Sequence, residues 1–127
     1  MLGKGNPVLT KELIASEHEE QVQFVQWFRR KYAPVRIFAI PNGGYRSRAT
    51  AARLKAEGVS RGVPDLFIPE WNLWIEMKRI KGGKLSPDQV HWIKYLKDLG
   101  NTVHVAYGAY DAMQFVDEFA DKTVDAP

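Results

Sequence analysis

One stretch limits the possible folds more than any other: Asp65-Leu-Phe-Ile-Pro-Glu-Trp-Asn-Leu-Trp-Ile-Glu-Met-Lys78. Two runs of aromatic, aliphatic and β-branched residues flank Pro69 to Asn72, which carries turn chemistry, so the stretch reads as a β-hairpin. Side chains alternate along a strand, which predicts Trp74, Glu76 and Lys78 on one face and Leu73, Ile75 and Met77 on the other. With a turn of about two to three residues, Asp65 falls near Glu76 across the ladder. Two carboxylates and one ammonium then converge.

The flanking segments supply the layers that such a hairpin needs. Ser16 followed by Glu19 is a capping-box signature, and Val22, Phe24, Val25, Trp27 and Phe28 recur at helical spacing until Pro34. Arg36 to Ile40 reads as a strand, Pro41-Asn-Gly-Gly44 as a loop, and Ser47 to Glu57 as a basic helix ended by Gly58. After the Lys81-Gly-Gly-Lys84 loop, Ser86-Pro87-Asp88-Gln89 is a helix start, and that helix runs to Leu99 before Gly100. Thr102 to Tyr107 alternates as a strand, and Tyr110 to Phe119 has a helical pattern. The expected fold class is α/β, a small mixed sheet flanked by helices in the order α-β-α-β-β-α-β-α. Residues 16–120 form the expected domain, with loose segments at 1–15 and 121–127.

Composition narrows the chemistry. At 127 residues and 45% hydrophobic, the chain suits one domain with a real core. It has no cysteine, which excludes disulfides, thiolate zinc sites and a cysteine nucleophile. No apolar run reaches the roughly 18 residues of a membrane span, so the expectation is an intracellular protein that does not enter a membrane. The formal net charge of +3 conceals a polarised chain. Residues 29–62 hold nine basic groups against Glu57, and residues 78–97 hold six against Asp88, whereas the last 17 residues hold five acids against Lys122. Basic blocks of this kind suit a polyphosphate if they share a face.

Like charges side by side on a strand pair are destabilising unless something compensates them, and a hard divalent cation would. An all-oxygen site at Asp65 and Glu76, with the backbone carbonyl of Met77 as a further ligand, suits magnesium or manganese. Lys78 would hold the attacking water or stabilise charge on phosphate oxygens. His18, His91 and His104 lack metal-ligand spacing, and His104 is expected to pack within its strand. Trp27, Trp74 and Trp92 read as core residues, while Trp71 at the turn is a candidate for stacking on bases. Asn42, Gly43, Arg46 and Arg48 form a glycine-bearing basic loop suited to phosphate contact.

These motifs, from Pro41-Asn-Gly-Gly through Leu54-Lys-x-x-Gly58-Val, Gly62-Val-Pro-Asp65, Leu73-Trp-Ile-Glu-Met-Lys78 and Lys84-Leu-Ser-Pro-x-Gln89 to Trp92-Ile, resemble the VRR-NUC nucleases. That family is a branch of the PD-(D/E)XK, restriction-endonuclease-like superfamily, and the resemblance covers about residues 16–119, in the manner of a stand-alone phage-type member. It implies a metal-dependent phosphodiesterase with Asp65 and Glu76 as metal ligands and Lys78 as the catalytic lysine, leaving 5′-phosphate and 3′-hydroxyl ends. Gln89 matches a family glutamine beside the active site, although it can equally close the capping box. The family's first-helix acid corresponds to Glu17, with Glu20 and Gln21 as neighbouring choices. Arg53, Lys55, Lys81 and Lys84 extend the expected nucleic-acid footprint of Asn42, Gly43, Arg46 and Arg48.

The resulting expectation is a magnesium- or manganese-dependent DNA endonuclease selective for Holliday junctions or other branched DNA. It would act as a homodimer, without a nucleotide cofactor, in a bacterial cytoplasm such as that of a phage-infected host. The competing readings are a non-cleaving DNA-binding module for recombination or packaging, and a nuclease acting on RNA.

Overall fold

The structure is a computed structural model that describes residues 15–41 and 47–123. Asn42, Gly43 and Arg46 of the expected basic loop, and most of the two chain ends, lie outside the described residues. The element order is α1 (Glu17–Lys31), β1 (Phe38–Ala39), α2 (Arg48–Ala56), β2 (Leu66–Ile68), a 3₁₀ turn (Pro69–Trp71), β3 (Leu73–Lys78), α3 (Pro87–Asp98), β4 (Thr102–Tyr107) and α4 (Ala109–Thr123). This matches the order read from the sequence.

Local chemistry explains where the helices begin. Ser16 and Glu19 close a reciprocal capping box at the start of α1, Ser47 caps α2 through the Thr50 amide, and Ser86 and Gln89 close a second box on α3. Helix α4 runs to Thr123, beyond the expected end at Phe119, because Val116 and Ala120 continue its buried stripe.

The sheet has the order β1-β2-β3-β4, with antiparallel pairing of β1 to β2 and β2 to β3 and parallel pairing of β3 to β4. Strand β1 covers only two residues rather than the expected five from Arg36 to Ile40. It is an edge strand whose ladder partner β2 is itself only three residues long, and Ile37 gives its carbonyl to the Arg29 guanidinium instead. The hairpin connection is also longer than expected, four residues from Pro69 to Asn72, with Asn72 left-handed at φ 51°. Register is unaffected, since lengthening the turn equally on both sides preserves the pairing of Ile68 with Leu73 and Leu66 with Ile75.

Two apolar layers cover the sheet. Leu73, Ile75 and Met77 face Phe24 and Phe28 of α1 and Ala112 and Val116 of α4. Each fully buried large side chain contributes about 1.5–3 kcal/mol, so this layer anchors β3 firmly. Trp74 and Val103 on the opposite face meet Ile93 and Leu96 of α3. Trp71 belongs to the first layer, its ring 5.6 Å from Phe28, 5.3 Å from Tyr32 and 5.8 Å from Phe119. The expectation that it stacks on bases is therefore corrected: the longer turn folds it back against the helices. His104 packs as expected, stacked on Phe115 at 4.0 Å with Nε2 2.9 Å from Asp111.

Candidate active site

Strand alternation carries Glu76 and Lys78 to the α3 side of the sheet, where most of a strand's residues would be apolar. Both are buried, with relative exposures of 2% and 6%. Asp65 precedes β2 by one residue and, with register continued, stands opposite Glu76. Its backbone carbonyl accepts from Ile40, so its polar backbone faces β1 and the Asp65–Glu76 position is a non-hydrogen-bonded one, where opposed side chains come closest. The Asp65 carboxylate accepts from the Met77 amide at 2.8 Å.

Pro64 bears on the other polar group of Met77, its carbonyl. Register puts Pro64 across from Met77, and proline has no N–H. The Met77 carbonyl therefore lacks the usual ladder donor. Lys78 sends its carbonyl the other way, to the Gly108 amide at 2.8 Å, so by alternation the Met77 carbonyl points to the β2 side, where Asp65 sits.

Gln89 ties Glu76 and Lys78 together. Its Nε2 donates to Glu76 Oε2 at 2.7 Å, its Oε1 accepts from Lys78 Nζ at 3.0 Å, and the same oxygen accepts from the Ser86 amide at 2.8 Å. One side chain therefore both closes the capping box and contacts Glu76 and Lys78. Lys78 Nζ also lies 3.6 Å from Glu76 Oε2. The loop of Lys81 to Lys84 seals this corner: a Cβ on Gly83 would stand 2.9 Å from Lys78 Cβ, so only glycine lets the loop lie on the lysine stem. Lys81 and Lys84 are exposed on either side of it.

Electrostatically the carboxylates are held against their preference. Burial pushes the Glu76 carboxyl up to about 8, and the charge of Asp65 adds to the rise while Lys78 opposes it. Asp65 is raised chiefly by burial; the Met77 hydrogen bond opposes this, and the charge of Glu17 adds to it. Glu17 is exposed at the start of α1, yet its charge is felt at Asp65. Glu20 does something else. It is buried, and its Oε1 accepts from the Ala109 amide at 2.8 Å, supplying from α1 the N-terminal acceptor of α4. The sequence offered Glu20 only as an alternative to Glu17; its partner is 89 residues away and leaves no local signal.

One atom bears on a cation directly. Glu76 Oε1 is buried with no hydrogen-bond partner among the described residues. A native orphan of this kind calls for an occupant, since an unsatisfied buried acceptor costs about 1–3 kcal/mol. Among the described residues no group of three or more His, Asp or Glu side chains gathers to hold a metal. The groups that could hold a cation are two carboxylates, Asp65 and Glu76, and the Met77 carbonyl, and water would have to complete the shell. That set fits a small hard divalent cation, which is commonly bound through one or two carboxylates.

Of the expected footprint, Arg48, Arg53 and Lys55 are exposed on α2. Lys55 lines a cleft together with Gly62, three residues before Asp65. His18 and His91 are exposed. No helix among the described residues is long and apolar enough to cross a membrane.

The model of the VRR-NUC domain family matches residues 8–110. A solved structure described as a VRR_NUC domain protein is similar over 84% of this chain and 89% of that one, at 26% identity and a TM-score of 0.71. No curated protein matches significantly. The fold, with its four-stranded mixed sheet and nuclease-type architecture, and the match over most of the sequence place this chain in the VRR-NUC domain family.

Proposed function

We propose that the protein is a divalent-metal-dependent endonuclease that hydrolyses DNA phosphodiester bonds, with branched DNA such as a four-way junction as preferred substrate and a homodimer as the working form. The observation that carries the reading is the unpartnered, buried Glu76 Oε1 beside Asp65 and Lys78. Asp65, Glu76 and the Met77 carbonyl would hold magnesium or manganese. When bound, such an ion polarises a phosphoryl oxygen and lowers the pKa of water.

The chain's own residues divide the remaining work. Lys78, fixed by Gln89, presents its ammonium to the attacking water or to the phosphate oxygens as charge grows on them. Because Gln89 accepts from Lys78 and donates to Glu76, the ammonium and the carboxylate stay in one arrangement before substrate arrives, which is where preorganised electrostatics gains its effect. Glu17 adds negative charge near Asp65 and favours a cation there. In the reaction, a water oxygen bonds to phosphorus, the bond from phosphorus to the 3′ oxygen breaks, and the departing oxygen takes up a proton. The products carry 5′-phosphate and 3′-hydroxyl ends. Lys81, Lys84, Arg48, Arg53 and Lys55 would neutralise backbone phosphates around the site.

The test is cleavage of a labelled four-way junction, linear duplex and RNA by wild type and Lys78→Ala, in magnesium, in manganese and in EDTA. Metal-dependent cutting that prefers the junction and is lost in the variant is the expected result. Equal cutting of duplex would remove the structure selectivity, cutting of RNA alone would change the substrate, and binding without cutting in either metal would leave a DNA-binding module.

A further inference from the structure

Away from the carboxylates, the described residues form a cleft of about 920 Å³ between α2 and the loop-and-α3 side. Its size lies within the range of small-ligand sites, roughly 300–1,000 Å³. The lining has two characters. Ala51, Ala52, Leu54, Val59 and Trp92 supply apolar surface, while Lys55, Ser60, Arg61 and His91 supply polar surface with fixed cations among it. Asp88 contributes the one carboxylate among the lining residues. Trp92 is held in place, its Nε1 donating to Ser60 Oγ at 3.2 Å and its ring meeting Tyr95 edge-on at 5.5 Å.

The cleft is lined by residues that neighbour the candidate active site in sequence. Gly62, at φ +90°, passes so close to α3 that a Cβ there would stand 2.5 Å from the Asp88 carbonyl carbon. Both residues line the cleft. From Gly62 the chain reaches Asp65 in three residues, and from Asp88 the next residue is Gln89.

We propose that this cleft is a subsite for one unpaired nucleotide of the substrate, with its base against Trp92 and its phosphate at Lys55 and Arg61. The inference rests on the nuclease reading for its biological setting. A bare phosphodiester backbone would engage the cations and leave the apolar surface unused; a purely apolar ligand would strip water from Lys55 and Arg61 without replacing it. A nucleotide matches both kinds of surface. The base must be unpaired, because inside a duplex its faces are covered by its neighbours. Asp88 repels phosphate and can accept from a base N–H, which sets the direction in which the nucleotide enters. Stacking of one base on an aromatic ring is worth about 1–3 kcal/mol, so occupancy of the cleft favours DNA with an unpaired nucleotide beside the cut over continuous duplex.

The experiment follows the Trp92 indole N–H signal by NMR in EDTA, where no cleavage occurs, during titration with deoxyadenosine monophosphate, deoxyribose 5-phosphate and inorganic phosphate. The nucleotide should move the signal at about a tenfold lower concentration than the abasic sugar phosphate, in line with about 1.4 kcal/mol of stacking. Equal response to the sugar phosphate would reduce the cleft to an anion site and overturn the proposal, as would no response to any of the three, which would fit a cleft covered by the protein's own chain. A second arm uses Ala52→Phe, which fills the cleft from an exposed helical position. The ratio of single-strand to duplex affinity should fall about tenfold in that variant; an unchanged ratio would overturn the proposal. Failure of the nuclease reading is seen separately, as wild type that does not cut in either metal, and leaves these binding results intact.

Discussion

Gln89 and Glu76 are joined by a 2.7 Å hydrogen bond that ties a helix N-terminus to a buried carboxylate. The same glutamine closes the capping box of α3 and accepts from Lys78. The start of α3 and the Glu76–Lys78 pair are therefore both held by one amide, and substitutions at position 89 can separate the two roles. Gln89→Ala removes three contacts and leaves Glu76 and Lys78 without their mutual bridge. It should lower stability by about 1–3 kcal/mol and reduce cleavage by at least tenfold. Gln89→Glu keeps an acceptor for the Ser86 amide but puts a third carboxylate beside Glu76. Its melting temperature should stay nearer to wild type than that of the alanine variant if the cap dominates stability, while cleavage falls by at least about tenfold in both. Thermal unfolding and junction cleavage measured side by side decide this.

The raised carboxyl of Glu76 makes stability depend on pH with a definite sign. Its folded value of about 8 lies above the ordinary value of 4.5, so the folded protein binds this proton more tightly than the unfolded chain does. The group's contribution to stability is fully present below about pH 4.5 and is lost as pH rises through about 8. In EDTA the melting temperature should fall across that window. Glu76→Gln should flatten the profile and raise the melting temperature at the alkaline end. Saturating magnesium should flatten the wild-type profile as well, because a bound cation holds the ionised form. A wild-type profile with the same slope in EDTA and in magnesium would sink the cation assignment.

Glu17 and Glu20 sit three residues apart on α1 and should fail in opposite ways. Glu20→Ala removes the acceptor of the Ala109 amide at the start of α4, and a lost helix cap costs about 0.5–2 kcal/mol. The melting temperature should drop. Glu17→Ala, at an exposed position, should leave melting close to wild type but weaken magnesium binding, because its charge reaches Asp65. Isothermal titration with magnesium beside thermal unfolding checks both. Weakened magnesium binding in the Glu20 variant alone would move the first-helix role from Glu17 to Glu20.

Gly62→Ala should be among the most damaging single-methyl changes in the chain. The left-handed backbone at φ +90° disfavours any side chain, and the new Cβ would sit 2.5 Å from the backbone of Asp88. Strain at such a residue costs about 1–3 kcal/mol, and the contact cannot be relieved by a rotamer change because its partner is main chain. A melting temperature unchanged from wild type would show that the Gly62 loop does not rest on α3.

Local signals in the sequence determined the element order, the two capping boxes, the hairpin register and the convergence of Asp65, Glu76 and Lys78. These are short-range properties: a serine three residues before its reciprocal partner, or period-two alternation around a turn, carries its geometry in neighbouring residues. Pairing across a hairpin is also nearly local, which is why the longer turn left Asp65 opposite Glu76. Other features depended on residues far apart in the chain. The packing of Trp71 against Phe28, Tyr32 and Phe119, the capping of α4 by Glu20, the bridge from Gln89 to Glu76 and the cleft walled by Lys55, Arg61 and Trp92 join elements whose approach no local pattern encodes. Strand β1 is shorter than its own residues predict for the same reason, since its length is set by how much of β2 is there to pair with it. Sequence periodicity tells a side chain which face it occupies; only tertiary packing decides what that face meets, because burial and hydrogen-bond satisfaction are resolved among all elements at once.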